Sequence, residues 1–395
     1  MSLLSRLLKQ IIATRPATDV IDYDVPPLAT AGENPLDEVV DVISLSQKKT
    51  TDADADRVHL SNDVKIQLES FVSDIAAIYK ENPFHNFEHA SHVAMSVIKL
   101  LSRIVAPPKM DSASGSSSTD TECEDNSYGI NSDPLTQFAC VFSALIHDAD
   151  HPGVPNAQLI KERSPLSAYY KCRSVAEQNS VDLAWDLFMR EDYSSFRRAV
   201  CANKNELQQF RQLVVNTVMA TDIMDKELKV ARNKRWEKAF ETHGASVSSE
   251  PAVVTQNRKA TIVIEHLIQA SDVAHTMQHW QVYRKWNERL FLEMVQAYED
   301  GRSEKHPADF WYKGELGFFD FYIIPLAKKL KDCGVFGVSS DEYLNYALKN
   351  REEWAAKGRQ LVAEMQQKPA VAEMEGQQQR NLRDYMDKQM SLMDK

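Results

Sequence analysis

The sequence predicts an all-α protein, a compact multi-helix domain, on three observations. Glycine is scarce, with 12 in 395 residues, while Leu, Ala, Met, Glu, Lys and Gln, all good helix formers, dominate. Period-two β-branched alternation is sparse, whereas apolar residues recur at helical spacing. At 43% apolar the chain can bury a sizeable core, and its length suits one large domain or two ordinary ones.

The elements follow in order. Leu3, Leu4, Leu7, Leu8, Ile11 and Ile12 form an amphipathic stripe, with Arg6, Lys9 and Arg15 off it. It reads first as a helix docked at the end of a globular domain, with a membrane-surface or targeting segment as the alternative. Pro16, Pro26, Pro27 and Pro35 break any long helix after it, so residues 1–58 are assigned to an N-terminal extension. From Asn62 the pattern turns helical, with Val64, Leu68, Phe71, Ile75 and Ile78 on one face, and the main domain is assigned to 59–365. Residues 107–134, rich in Ser, Asp, Gly and Thr, have little to bury and predict a disordered insertion between two helices, with Cys123 exposed in it. Helical patterns resume near Leu135 and run to about Leu361, with a second break at 243–257. Residues 366–395, rich in Gln, Met and charge, form a C-terminal tail.

The formal net charge of −11 argues against a nucleic-acid polymer as partner. It leaves a small phosphate substrate open, because bound cations reverse the sign locally. No apolar run reaches the roughly 20 residues of a membrane span. Five scattered cysteines without a CxxC pair point to a reduced, cytoplasmic setting.

The 11 histidines are clustered. FHNFEHASHV holds His85 and His89, four apart and therefore on one helix face, and also His92. HDADHPGVPN holds His147, Asp148, Asp150 and His151 at the end of a strongly apolar helix. A buried ionisable group is costly unless paired or metal-bound. Asp148 has two oxygens, enough to bridge two cations, while Asp150 and His151 could orient the ligands around it. Downstream, in IVIEHLIQASDVAH, Asp272 interrupts an apolar helix near its end, as either a surface cap or a buried ligand. His89, His147, Asp148 and Asp272 together offer two imidazoles and two carboxylates, a set that suits a borderline metal beside a harder second ion. Two such metals serve phosphoryl chemistry, and His85 could supply the missing acid.

With these motifs the chain resembles the class I 3′,5′-cyclic-nucleotide phosphodiesterases of the HD-domain metal phosphohydrolase superfamily, over about residues 60–360. HNFEHASHV and HDADHPGVPN match the family's two histidine motifs, and SVAE (174–177), ATD (220–222), YRKW (283–286) and LGFFDFY (316–322) follow in order. The resemblance implies an HD-type helical fold and His85 as general acid. It implies metal ligation by His89, His147, Asp148 and Asp272, with Asp148 bridging. It places His151, Asn156, Glu177 and Thr221 as supporting or water-binding residues. Two divalent ions are implied, zinc in one site and magnesium or manganese in the other. The implied reaction is attack of a metal-bridging hydroxide on cAMP or cGMP, opening the 3′ ester to give the 5′-monophosphate.

The base pocket departs from the family. Phe318 and Leu290 would clamp the base, but Glu315 stands where the family has glutamine. An ionised glutamate only accepts hydrogen bonds. It could take guanine N1–H and N2–H together, which leans the expectation to cGMP or dual use. The alternative is that Glu315 is a surface charge in a shifted loop. Phe84 replaces a usual tyrosine, Gln178, Asn179 and Ser180 replace frequent histidines, and His275 occupies a position that varies with base preference. Competing functions are an HD-type phosphohydrolase acting on another nucleotide, a non-catalytic cyclic-nucleotide-binding module, and a helical interaction domain. A homodimer, membrane association through the N-terminal stripe, and origin as a piece of a longer protein all stay open.

Overall fold

The Pro134–Ile146 helix is the element around which the others gather. In this computed structural model, residues 2–15, 34–45, 52–104, 127–241 and 250–367 are described. The helix begins where the Asp133 carboxylate accepts the N–H groups of Leu135 and Thr136 at 3.1 and 3.2 Å, with Pro134 in the first turn. Nearly every side chain along it is buried. The helices Ser2–Ala13, Phe87–Ser102, Val175–Met189, Lys204–Met219 and Ala252–Asp272 pack on it. Phe138 and Phe142 anchor an aromatic cluster with Phe71, Phe188, Phe196 and Phe210, ring centroids 5.2–6.3 Å apart. Such pairs add to the hydrophobic gain from burial.

The fold class agrees with expectation: the described residues are helical, with no strand among them. Asn62–Ile78 buries Val64, Leu68, Phe71 and Ile75, as its spacing requires. Ser2–Ala13 buries Leu4, Leu7, Leu8 and Ile11 in the main core, so the docked-helix reading of the N-terminal stripe describes it. No described helix is long and apolar enough to cross a membrane.

Two boundaries are corrected. Residues 127–134, expected inside the disordered insertion, are placed in the fold. Ile130 and Ser127 are buried, and Asp133 caps the next helix. Their polar composition serves turn and cap hydrogen bonds. The expected break at 243–257 is shorter on its C-terminal side, because Ala252–Asp272 already starts after Pro251. Residues 105–126 with Cys123, residues 242–249 and residues 368–395 lie outside the described residues.

The long Val338–Gln366 helix braces the Trp311–Phe318 helix. Trp354 Nε1 donates to the Tyr312 carbonyl at 3.1 Å, and the Tyr312 hydroxyl donates to the Ala355 carbonyl at 3.0 Å. Gly358 makes this approach feasible. A Cβ there would lie 2.8 Å from Trp354 and 2.9 Å from Tyr312, both closer than real contacts. Gly358→Ala is therefore expected to destabilise the fold by about 1–3 kcal/mol, despite alanine's better helix propensity. Thermal denaturation checks this, and an unchanged or raised Tm contradicts it.

Candidate metal centre

Four side chains from three parts of the chain meet at one point. His89 lies in the first turn of Phe87–Ser102, where Asn86 is the N-cap. Asn86 Oδ1 accepts the His89 N–H at 3.0 Å, and its amide donates to the Asn82 carbonyl at 2.7 Å. The asparagine of the HNFEH motif thus fixes where the helix starts and hence where His89 points. His147 ends the central helix, Asp148 follows it, and Asp272 is the last residue of Ala252–Asp272.

One ligand atom from each of His89, His147, Asp148 and Asp272 lies within 4.8 Å of the other three. His89 Nε2 is 3.1 Å from Asp272 Oδ1 and 3.6 Å from Asp148 Oδ2. His147 Nε2 is 3.0 Å from Asp148 Oδ2 and 3.4 Å from Asp272 Oδ1. His147 Nδ1 lies 3.0 Å from the Ala144 carbonyl, which orients the ring so that Nε2 faces the carboxylates. His147 Nε2 is sealed from solvent without a hydrogen-bond partner. Burial raises both aspartates, but His147, with His89 at Asp272, outweighs it and holds both carboxyls well below their usual range. Two ionised carboxylates and two aimed imidazoles fit divalent cations. Asp272 is half-buried and stands within this cluster, which disfavours the first of its two readings, a surface cap.

Beside this cluster stands a second group, His85, His151 and Glu293. Glu293 Oε1 pairs with His85 Nδ1, while its Oε2 accepts the backbone N–H groups of Phe84 and His85, both at 2.9 Å. Burial opposes charge on His85, yet the Glu293 carboxylate lifts it to about 9. His151 stacks on His85 with ring centroids 3.9 Å apart, and burial together with the His85 charge pushes it down to about 3. One imidazole is therefore held charged and its neighbour neutral.

Asn156 donates to Glu177 Oε2 at 2.8 Å and accepts the Ala176 N–H at 3.0 Å. Burial and the nearby Asp222 carboxylate push Glu177 up to about 8. Thr221 turns its hydroxyl to the Val218 carbonyl at 2.8 Å, and it is its neighbour Asp222 that acts on Glu177. Asp150 faces Lys80 at 2.9 Å and accepts from Asn179 at 3.1 Å, at a left-handed φ of 61°. Asn179 and Ser180, where histidines were frequent, thus hold the backbone turn after Asp148, the latter through the Ala149 carbonyl at 2.7 Å.

Glu315 is buried, contrary to the surface-charge alternative. Its Oε2 accepts from Tyr283 Oη and from Asn287 Nδ2, each at 2.7 Å. Asn287 Oδ1 accepts from the Trp311 indole at 3.2 Å, which orients the amide. Burial raises Glu315 to about 7, only partly offset by these two donors. Phe318 stacks on Tyr322 at 5.3 Å, and the Tyr322 phenol is raised by burial and by the Asp272 carboxylate. Leu290 and Phe318 are both half-buried against the core. His275 packs on Phe84 and Trp286, and burial with His89 drives it down to about 3.

Sequence reading missed Glu293, Asp222, Tyr283, Asn287 and Trp311. YRKW contains Tyr283 and ATD contains Asp222, so these two were within matched motifs. Glu293 carries no local signal, being an acidic residue on an otherwise ordinary helix.

The 3′5′-cyclic nucleotide phosphodiesterase family model matches residues 84–335. A probable 3′,5′-cyclic-AMP phosphodiesterase, pde-4, of Caenorhabditis elegans is 26% identical over 277 residues, 67% of this chain and 36% of that protein. A 3′,5′-cyclic-AMP phosphodiesterase of Drosophila melanogaster, isoform F, is 26% identical over 268 residues, 65% of this chain and 36% of that protein. The chain thus spans about a third of the length of these curated relatives. The solved phosphodiesterase domain of the Salpingoeca rosetta rhodopsin phosphodiesterase covers 93% of this chain, with 99% of its own length used, TM-score 0.58 and 20% identity. That likeness concerns the fold. With the family model spanning well over half of the chain and taking in all four clustered residues, the chain belongs to the 3′,5′-cyclic nucleotide phosphodiesterase family.

Proposed function

We propose that this chain hydrolyses 3′,5′-cyclic nucleotides to 5′-monophosphates, with His85 as general acid beside a two-metal site. The observation that carries this reading is the convergence of His89, His147, Asp148 and Asp272 next to an imidazole kept protonated by Glu293. These four residues would hold the ions, zinc and magnesium or manganese, with Asp148 shared between them. Divalent cations so held activate water and neutralise charge on a phosphoryl group. The chain's own residues do the rest. His85 donates its proton to the leaving 3′ oxygen, and Glu293 orients the ring and stabilises its charge. Neutral His151, stacked on His85, and Glu177, held by Asn156, offer hydrogen bonds to water at the site's edge, and we assign Thr221 a supporting role with them. A binding module without turnover would have no use for the His85–Glu293 pair. The free thiols at Cys140, Cys172, Cys201 and Cys333 suit a cytoplasmic setting.

For the base, we read Glu315 with Phe318, Leu290 and His275 as the pocket. Two protein donors already occupy Oε2, so acceptance of guanine N1–H and N2–H by both oxygens together does not fit. Oε1 takes no described protein donor and is not among the sealed, unpartnered atoms. Ionised, it accepts from adenine N6–H or a guanine N–H. Protonated, it donates to adenine N1 or guanine O6. This supports use of both cAMP and cGMP, and the cyclic-AMP names of the relatives support the first of the two. The cAMP to cGMP ratio of kcat/KM is expected to change between about pH 6 and about pH 8.5, and Glu315→Gln to flatten that change. Equal ratios in both proteins at both pH values would remove Glu315 from base reading.

A further inference from the structure

Residues 34–45 cross the body of the domain as an extended strap after a single 3-10 turn, Pro35–Glu38. The strap's backbone is received by side chains from three helices. Gln178 Oε1 accepts the Leu36 N–H at 3.1 Å, and Gln178 Nε2 donates to the Arg173 carbonyl at 2.7 Å. Asn216 makes a reciprocal pair with Val40, accepting its N–H at 3.2 Å and donating to its carbonyl at 2.8 Å. Thr261 Oγ1 accepts the Ile43 N–H at 2.9 Å while donating to the Asn257 carbonyl at 2.7 Å. Gln178, Asn216 and Thr261 are all buried, and such groups need partners. Three acidic side chains pin the strap's outer face. Asp37 meets Lys171 at 2.9 Å, Glu38 grips Arg211 at 2.8 and 2.5 Å, and Asp41 meets Arg235 at 3.2 Å.

The three receiving helices carry or lead into three of the carboxylates in and around the site, whereas Asp148 and Glu293 come from other elements. Val175–Met189 presents Glu177, adjacent to Gln178. Lys204–Met219 leads directly into Thr221 and Asp222. Ala252–Asp272 ends in Asp272, three turns after Thr261. The geometry points to residues 34–45 as a positioning strap that sets the spacing of these helices and thereby the placement of Glu177, Asp222 and Asp272. A segment outside the matched family region thus belongs to the machinery, and whatever displaces the strap lowers turnover. The activity readout rests on the hydrolytic reading above, whereas metal binding provides a readout independent of it.

The test uses the full chain in three forms besides wild type. E38K/D41K reverses charge on the strap's outer face, T261V removes the hydroxyl that receives Ile43, and T261S keeps it. Hydrogen exchange at Leu36, Val40 and Ile43, kcat and KM for cAMP, and the Mn²⁺ concentration giving half the metal-induced rise in Tm are measured. E38K/D41K and T261V are expected to exchange faster at these amides, lose about tenfold in kcat with KM within about twofold, and need more Mn²⁺. T261S is expected to match wild type. Faster exchange with wild-type kcat and Mn²⁺ midpoint would make the strap merely structural and overturn the inference. Unchanged exchange in both E38K/D41K and T261V would overturn it too. If T261V does not fold, E38K/D41K decides alone. A wild type that hydrolyses no cyclic nucleotide would refute the proposed function, while the Mn²⁺ midpoints still judge the strap.

Discussion

Asp148→Asn is expected to lower kcat for the proposed cyclic-nucleotide hydrolysis by about 10³–10⁴-fold and to weaken metal binding. Asp148 Oδ2 lies 3.0 Å from His147 Nε2 and 3.6 Å from His89 Nε2, and the residue holds one of the cluster's two negative charges. An asparagine keeps the volume but loses that charge, and half of its polar head is an N–H₂ donor that repels a cation. Charge stabilisation by bound cations is worth several kcal/mol in phosphoryl chemistry, and each 1.4 kcal/mol is about a factor of ten. Initial rates and metal content are measured on one preparation, with helicity as a control for folding. Full metal occupancy with a near-normal rate would remove Asp148 from the centre.

The second large effect is a shift in pH dependence. In the proposed role of acid His85 works only while protonated, and Glu293 lifts it to about 9 against the opposing effect of burial. On the proposed function, wild type is expected to keep this acid at neutral pH and to lose it as pH rises through about 9. Glu293→Gln keeps an oxygen for the Phe84 and His85 N–H groups but withdraws the negative charge from His85 Nδ1. The His85 pKa then falls, and the alkaline limb of kcat moves to lower pH. At about pH 8 the variant is expected to turn over about 10²-fold more slowly, with partial recovery as pH falls. Alkaline limbs that coincide in the two proteins would show that Glu293 does not sustain the acid.

The fold class was legible because helix signals are local. Val64, Leu68, Phe71 and Ile75 announce their helix by spacing, and they are the residues it buries. The boundaries were less legible where polar residues take structural duties. Asp133 looked like part of a disordered insertion because the carboxylate that caps a helix is compositionally the same as one that faces water. For the centre, the motifs brought His89, His147, Asp148 and Asp272 into view, and the structure places their ligand atoms together. Glu293 was invisible because its role depends on a partner 208 residues away, reached only through tertiary packing. The strap was hidden for the same reason. Gln178, Asn216 and Thr261 are ordinary polar residues in sequence, and their function is a backbone that arrives from residues 34–45. Glu315 lay between these cases: its chemistry was readable, but the two donors on its Oε2, which change what it can offer a base, were not.

The most direct test of the central reading is ³¹P NMR of cAMP and cGMP hydrolysis by the full chain in ¹⁸O-labelled water, before and after metal chelation. The proposed reaction places one ¹⁸O on the phosphorus of a 5′-monophosphate, stops on chelation, and resumes when divalent metal is restored. A 3′-monophosphate product, turnover that survives metal removal, or no turnover of either nucleotide with metal present would contradict it.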